Sequence, residues 1–206
     1  MARLLDSLLY CATSPGRRPF NGTAFIALDP AVSQTNCRGR LTAFRPSGRQ
    51  SMLVVRTAQP DDAHAAIDVV RRSITELCVA DHHGDPPTLA RWLANKTPAD
   101  FVSWLSNPDN FCVVAEDDNP LSGVGLVHRS GEIRLFYLAP AMQRKGIGTA
   151  IHSALLEKAR AWGLRTLHLE STALACPFYE ALGYRAMGPA KPRFGLLLCF
   201  PYEMGL

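Results

Sequence analysis

Residues 143 to 149 read Gln143-Arg144-Lys145-Gly146-Ile147-Gly148-Thr149, two glycines one residue apart behind two cations. Such a stretch can hold an anion. Glycine lets the backbone approach a charged oxygen closely, and the first amides of a following helix point at it with the positive end of the helix dipole behind them. An apolar run (Ile133, Leu135, Phe136, Tyr137, Leu138) precedes the stretch and stops at Pro140, and a helical pattern follows it. Strand, glycine turn and helix start together suit a ligand carrying phosphate or pyrophosphate. A tight structural turn is the plain alternative.

Spacing narrows the chemistry. A P-loop sets four residues between its glycines and then Lys-Ser/Thr, and a dinucleotide fingerprint needs a third glycine; here one residue separates Gly146 from Gly148, and Ile151 stands where the third glycine would be. The pattern Gln-x-x-Gly-x-Gly-x-Ala, formed by Gln143, Gly146, Gly148 and Ala150, resembles the coenzyme A pyrophosphate loop of the GCN5-related N-acetyltransferases. Further on, Ala175-Cys176-Pro177-Phe178-Tyr179-Glu180-Ala181-Leu182-Gly183-Tyr184 resembles that family's Ala-x-x-Phe-Tyr-x-x-x-Gly-Phe/Tyr signature. The resemblance is strongest over residues 132 to 184, weaker from about 52 to 131, and does not include the first 50.

The resemblance implies an α/β (α+β) domain: a central, mixed but mostly antiparallel twisted sheet of about six to seven strands flanked by about four helices. It implies acetyl-CoA as co-substrate, no metal, and transfer of the acetyl group to a primary amine of a small molecule or peptide. The peptide-like pantetheine arm would pair with the backbone of Phe136, Leu138 and Ala139. Gln143, Arg144, Lys145, Gly146, Ile147, Gly148 and Thr149 would receive the pyrophosphate, and Thr172, Ala175, Phe178 and Tyr179 would complete the cofactor site. Thr172 stands where the family often has Asn, and its hydroxyl donates one hydrogen bond where an amide offers two.

Acetyl transfer to an amine requires that the amine lose a proton and that the leaving thiolate gain one. A lysine-like amine with a pKa of about 10.4 is short of free base at neutral pH by about 4 to 5 kcal/mol, which a general base offsets. The resemblance assigns Tyr179 as proton donor to the thiolate; a tyrosine filling core beside Phe178 is the plain reading. Glu132 lies 14 residues before Gly146, as does the general-base glutamate of the histone-acetylating branch of the family. Strand alternation places it on the face of Arg134, Phe136 and Leu138; a solvated strand-end carboxylate after Ser130-Gly131 is the equal alternative. Glu170 and His128 follow as second and third choices. His82 and His83 with Asp81, Asp85 and Cys78 lack a helix-spaced His pair or a second cluster, so a solvated acidic loop is expected there rather than a metal site. In the family's fold that loop borders the acceptor groove, where Asp81 and Asp85 would attract a cationic amine; residues 81 to 108 and 188 to 195 would be its walls. A CoA-binding module without catalysis, sensing acetyl-CoA or serving in a partner complex, is the alternative function.

Composition fits one globular domain with a tail: 206 residues, 47% hydrophobic and 19% charged. No apolar run approaches ~18 residues, so no membrane-spanning helix is expected. The six cysteines (11, 37, 78, 112, 176, 199) show no close paired spacing, and free thiols in a reducing, cytoplasmic compartment are expected. Residues 1 to 50 hold seven arginines, no lysine and two acids, a balance of +5; the whole chain is +4, so the remainder is 4 − 5 = −1. The leader's cations are scattered, and neither nucleic acid nor membrane is an expected partner; a monomer or homodimer is. The leader (1–51) reads as a translation-start artefact or disordered extension before a domain beginning at Met52, with organelle targeting as the lesser alternative.

The elements that must position these groups follow from pattern. Strands are expected at 52–56, 111–116, 123–128, 132–138 and 165–170, with a closing pair at 184–187 and 196–202 around a loop. Helices are expected after Pro60-Asp61-Asp62, at 88–95, 98–106, 143–162 and 174–182, and a break at 81–87.

Overall fold

The computed structural model describes residues 53–117 and 120–206. The readings of the leader and of Met52 lie outside the described residues. Short β-branched and aromatic runs broken by turn residues form two sheets. In the first, β1 (Leu53–Thr57), β2 (Asn110–Asp117), β3 (Leu121–His128) and β4 (Ile133–Leu138) lie in that order, each antiparallel to the next. In the second, β5 (Thr166–Ser171), β8 (Leu197–Gly205) and β6 (Arg185–Ala186) lie in the order β5-β8-β6, and β7 (Lys191–Arg193) pairs with β8. The mixed α/β, mostly antiparallel architecture is the expected one. The strand the sequence conceals is β7, because a Lys-Pro-Arg segment has no apolar alternation to announce it.

The helices are α1 (Ala63–Arg72), α2 (Val79–His82), α3 (Pro86–Leu93), α4 (Pro98–Ser106), α5 (Ile147–Ala161) and α6 (Cys176–Ala181). A π-helical turn, Ser73–Leu77, joins α1 to α2. Two boundaries differ from expectation for identifiable reasons. The break after α1 comes at His83 and Gly84, both in the left-handed region, so Asp81 and His82 belong to α2 and are buried. The helix expected from 143 starts at Ile147, because Arg144 (φ 60°) and Gly146 (φ 79°) are also left-handed and cannot propagate a right-handed helix. Asp85 caps α3, accepting from Thr88 N at 2.9 Å ahead of two prolines, which moves that helix start forward to Pro86.

Two apolar clusters fill the two faces of the first sheet. One gathers Val70, Ile74, Trp92, Phe101, Val114, Leu126, Leu135 and Tyr137 around α1; the other gathers Val113, Phe136, Leu138, Ile151, Leu155, Tyr179 and Tyr184 around α5. The close seat of α5 depends on Gly125 in β3, where an added Cβ would stand 2.4 Å from Ile151 Cγ2.

His152 of α5 is buried with Nε2 3.1 Å from the Tyr184 hydroxyl, and burial pushes its pKa down to about 4 from 6.5. The unfolded chain therefore binds more protons than the folded one between those values, so stability is complete above pH ~6.5 and falls as pH drops towards 4. The loss at pH 5 should be about 2 kcal/mol. Urea unfolding between pH 7 and 4.5 should show this slope in the wild type and a flatter one in His152→Gln; parallel slopes would remove His152 as its source.

Candidate active site

β4 and β5 run parallel but touch at one point. Glu132 and His168 form an isolated parallel bridge, with His168 N donating to Gly131 O at 2.9 Å, and beyond it the strands belong to separate sheets. The result is a fork closed at Glu132 and open towards Leu138 and Thr172. Strand edges inside such a fork present backbone groups that an extended, amide-bearing ligand can pair with.

The glycine loop lies past the open end of β4. A short 3₁₀ turn (Pro140–Met142) leads into it, and α5, fifteen residues long, starts behind Gly146. Left-handed backbone at Arg144 and Gly146 winds the loop tightly ahead of α5, whose first amides carry the positive end of the helix dipole. A Cβ on Gly146 would meet nothing within 4 Å, so this glycine serves its φ rather than a tight contact. Leu138, Arg144, Gly146, Gly148, Thr149, Pro177 and Phe178 together line a cleft of about 340 Å³. Apolar β4 and α6 residues on one side and helix-start amides on the other suit a ligand with a long neutral arm and an anionic group.

Tyr179 is 1% exposed. Its ring sits edge-on to Phe136 of β4 (6.0 Å), Phe178 (5.3 Å) and Tyr184 (5.5 Å), which brings α6 against the inner strand of the fork. Ala175 and Thr172 are fully buried beside it, and Thr172 Oγ1 has no hydrogen-bond partner among the described residues.

The three candidate bases separate on geometry. Glu170 is held at both oxygens by Arg193, Nε to Oε2 at 2.8 Å and Nη2 to Oε1 at 2.6 Å, a bidentate ion pair. His128 Nδ1 accepts Ser130 N–H at 3.0 Å, so the neutral ring carries its proton on Nε2; burial, then Arg134, pushes its pKa down. Glu132 is buried at the closed end of the fork, and Arg134 Nε donates to its Oε2 at 2.9 Å. Its face differs from the one alternation implies. The β3–β4 register runs to Leu126↔Leu135 and then jumps to Val127↔Ile133, so Arg134 is an extra residue. Ile133 consequently packs with Phe136 and Leu138, and Glu132 falls on the opposite face, that of Leu135 and Tyr137.

The segments expected as acceptor walls meet on that same face. Trp92 of α3 stacks on Phe194 in the β7–β8 turn (6.3 Å, 12°), and Leu196 N donates to Thr88 Oγ1 at 3.1 Å. Asp85 accepts from Thr88 N and Oγ1 as the α3 cap, and these hydrogen bonds, the hydroxyl's first, push its pKa down and keep it an anion.

A family profile described as acetyltransferase (GNAT) domain matches residues 88–206, more than half of the chain. The chain belongs to the GNAT acetyltransferase family. A solved GCN5-related N-acetyltransferase from Rhodopseudomonas palustris is similar in fold, with TM-score 0.67, 22% identity, and coverage of 76% of this chain and 97% of that one. The PaiA N-acetyltransferase of Thermoplasma acidophilum, solved in complex with coenzyme A, aligns with TM-score 0.61 and 18% identity over 75% and 99% of the two chains. The ribosomal-protein-S18-alanine N-acetyltransferase of Escherichia coli aligns with TM-score 0.56 and 19% identity over 75% and 94%. Comparison with curated proteins found no match.

Of the residues expected to hold CoA in this GNAT domain, Leu138, Arg144, Gly146, Gly148, Thr149 and Phe178 share the cleft. Phe136, Ile147, Thr172, Ala175 and Tyr179 are buried behind it, while Ala139, Gln143 and Lys145 are at least partly exposed on the strand end and loop. Pro177 lines the cleft unforeseen, although its place beside the Phe-Tyr pair was the available signal. Among the described residues no helix is long and apolar enough to cross a membrane, and no group of three or more His, Cys, Asp or Glu could hold a metal.

Proposed function

We propose that this GNAT domain is an acetyl-CoA-dependent N-acetyltransferase acting on a primary amine of a small molecule or peptide. The observation that carries the reading is the β4–β5 fork with a left-handed glycine loop at its open end and Tyr179 packed against its inner strand. The α5 amides behind Gly146 would take the pyrophosphate, with Gln143, Arg144, Lys145, Ile147, Gly148 and Thr149 forming the loop around it. The backbone of Phe136, Leu138 and Ala139 would pair the pantetheine arm, and Thr172, Ala175 and Phe178 would close its other side. Glu132 takes a proton from the attacking amine, and the Tyr179 hydroxyl gives one to the departing thiolate. Fixing both groups on packed strands and a helix keeps them oriented before substrate arrives.

Gly148 tests the binding half. It is buried in the first turn of α5 and lines the cleft, so Gly148→Val should crowd the approach to the loop and weaken CoA binding at least about tenfold, ~1.4 kcal/mol. Calorimetry on the folded variant with unchanged affinity would remove the loop from the site. An acetyl-CoA turnover screen across small amines and peptide N-termini tests the transfer half; CoA binding without turnover on any acceptor would favour a CoA-sensing module instead.

A further inference from the structure

Arg134 is the extra residue of the β4 bulge, set between the buried Ile133 and Leu135. Its Nε donates to Glu132 Oε2 at 2.9 Å, and the two side chains, Arg134 and Glu132, are only 28% and 10% exposed. A bulge re-aims side chains that a regular strand would hold in fixed alternation, and bulges recur next to active sites. Here it sets an arginine against the carboxylate at the closed end of the fork.

Burial gives that contact weight. An exposed ion pair is screened by water and contributes little, whereas a buried carboxylate that loses its counter-charge is left uncompensated. Other titratable groups stand around the pair. His168 of β5 bridges Glu132. His128 of β3 lies in the field of both partners, its pKa pushed down by burial and then by Arg134, against the pull of Asp109 and Glu132. Asp109, just ahead of β2, is 3.5 Å from Arg129. Of these groups, Arg134 is the cation in hydrogen-bond contact with Glu132.

Resting on Glu132 as the general base of an N-acetyltransferase, we propose that Arg134 is a positioning residue for the transfer step: it orients the Glu132 carboxylate and balances its buried charge. The amine proton passes to a Glu132 oxygen as the nitrogen attacks the thioester carbonyl. The guanidinium, charged throughout, neither gives nor takes a proton.

Arg134→Met keeps the apolar stem and removes the cation, and Arg134→Lys keeps a charge without the planar fork. Acetyl-CoA turnover by the wild type, both variants and Glu132→Gln is followed across pH, with n-propylamine and glycinamide as acceptors. Removing a cation disfavours the carboxylate anion, so the acid limb of kcat/KM should move to higher pH in Arg134→Met, by about one unit or more. At neutral pH its kcat should fall on the order of tenfold, with the KM for acetyl-CoA unchanged. Arg134→Lys should recover most of the limb, and Glu132→Gln should lose it. An unmoved limb in Arg134→Met, with or without a lower melting temperature, would make the pair a structural staple and overturn the proposal alone. Wild-type turnover in Glu132→Gln would overturn it together with the base assignment. No transfer to any amine of the turnover screen, these two included, would overturn it together with the N-acetyltransferase reading.

Discussion

Tyr179→Phe is expected to lower kcat by about 100-fold while changing acetyl-CoA affinity little. The substitution keeps the ring contacts with Phe136, Phe178 and Tyr184 and removes one hydroxyl. A loss therefore reports on proton donation rather than on a cavity. General acid catalysis contributes ~10²–10⁴-fold, and water that reaches the thiolate substitutes in part, which places the effect at the lower end. An interaction made only in the transition state should lower kcat and kcat/KM together. Steady-state kinetics on an acceptor found by the turnover screen, with CoA affinity measured separately, decides the matter. Wild-type kcat in the variant, with chemistry shown to be rate-limiting, would reduce Tyr179 to a packing residue.

Gly131→Ala should be the most damaging single methyl group in the domain. Gly131 sits at φ 91°, where an L side chain is strained, and its added Cβ would stand 2.6 Å from Thr166 O, a backbone atom of β5 that cannot swing away. Backbone strain of about 1–3 kcal/mol and overpacking of about 1–3 kcal/mol act at the same point. That point is the closed end of the fork, next to the Glu132–His168 bridge. The expected result is a fall in melting temperature on the order of 10 °C, with transfer activity reduced further because Glu132 shifts with the junction. Thermal unfolding and kinetics of Gly131→Ala test both; a variant melting with the wild type would mean that β4 and β5 can part here without cost.

Much of this GNAT domain was legible because its information is local. Gly146 and Gly148 announce a left-handed, close-approach loop whatever surrounds them, and the apolar period from Ile147 to Ala159 announces the helix behind it. The Phe178-Tyr179 pair is likewise a sequence-level mark, and alternating apolar runs gave β2 to β5 within a few residues of their observed bounds. What local pattern could not carry depends on partners far along the chain. The side of the sheet that Glu132 occupies is decided by the extra residue Arg134, which exists as a bulge only relative to Leu126 and Val127 across the strand pair. The bidentate clasp on Glu170 is decided by Arg193, on a strand that forms because β8 offers it an edge. The burial of Trp92 is decided by a β7–β8 turn more than a hundred residues downstream folding back onto α3. Residue type and spacing determined which groups were available for chemistry; packing between distant segments decided which of them are solvent-excluded, which are already engaged, and which face one another.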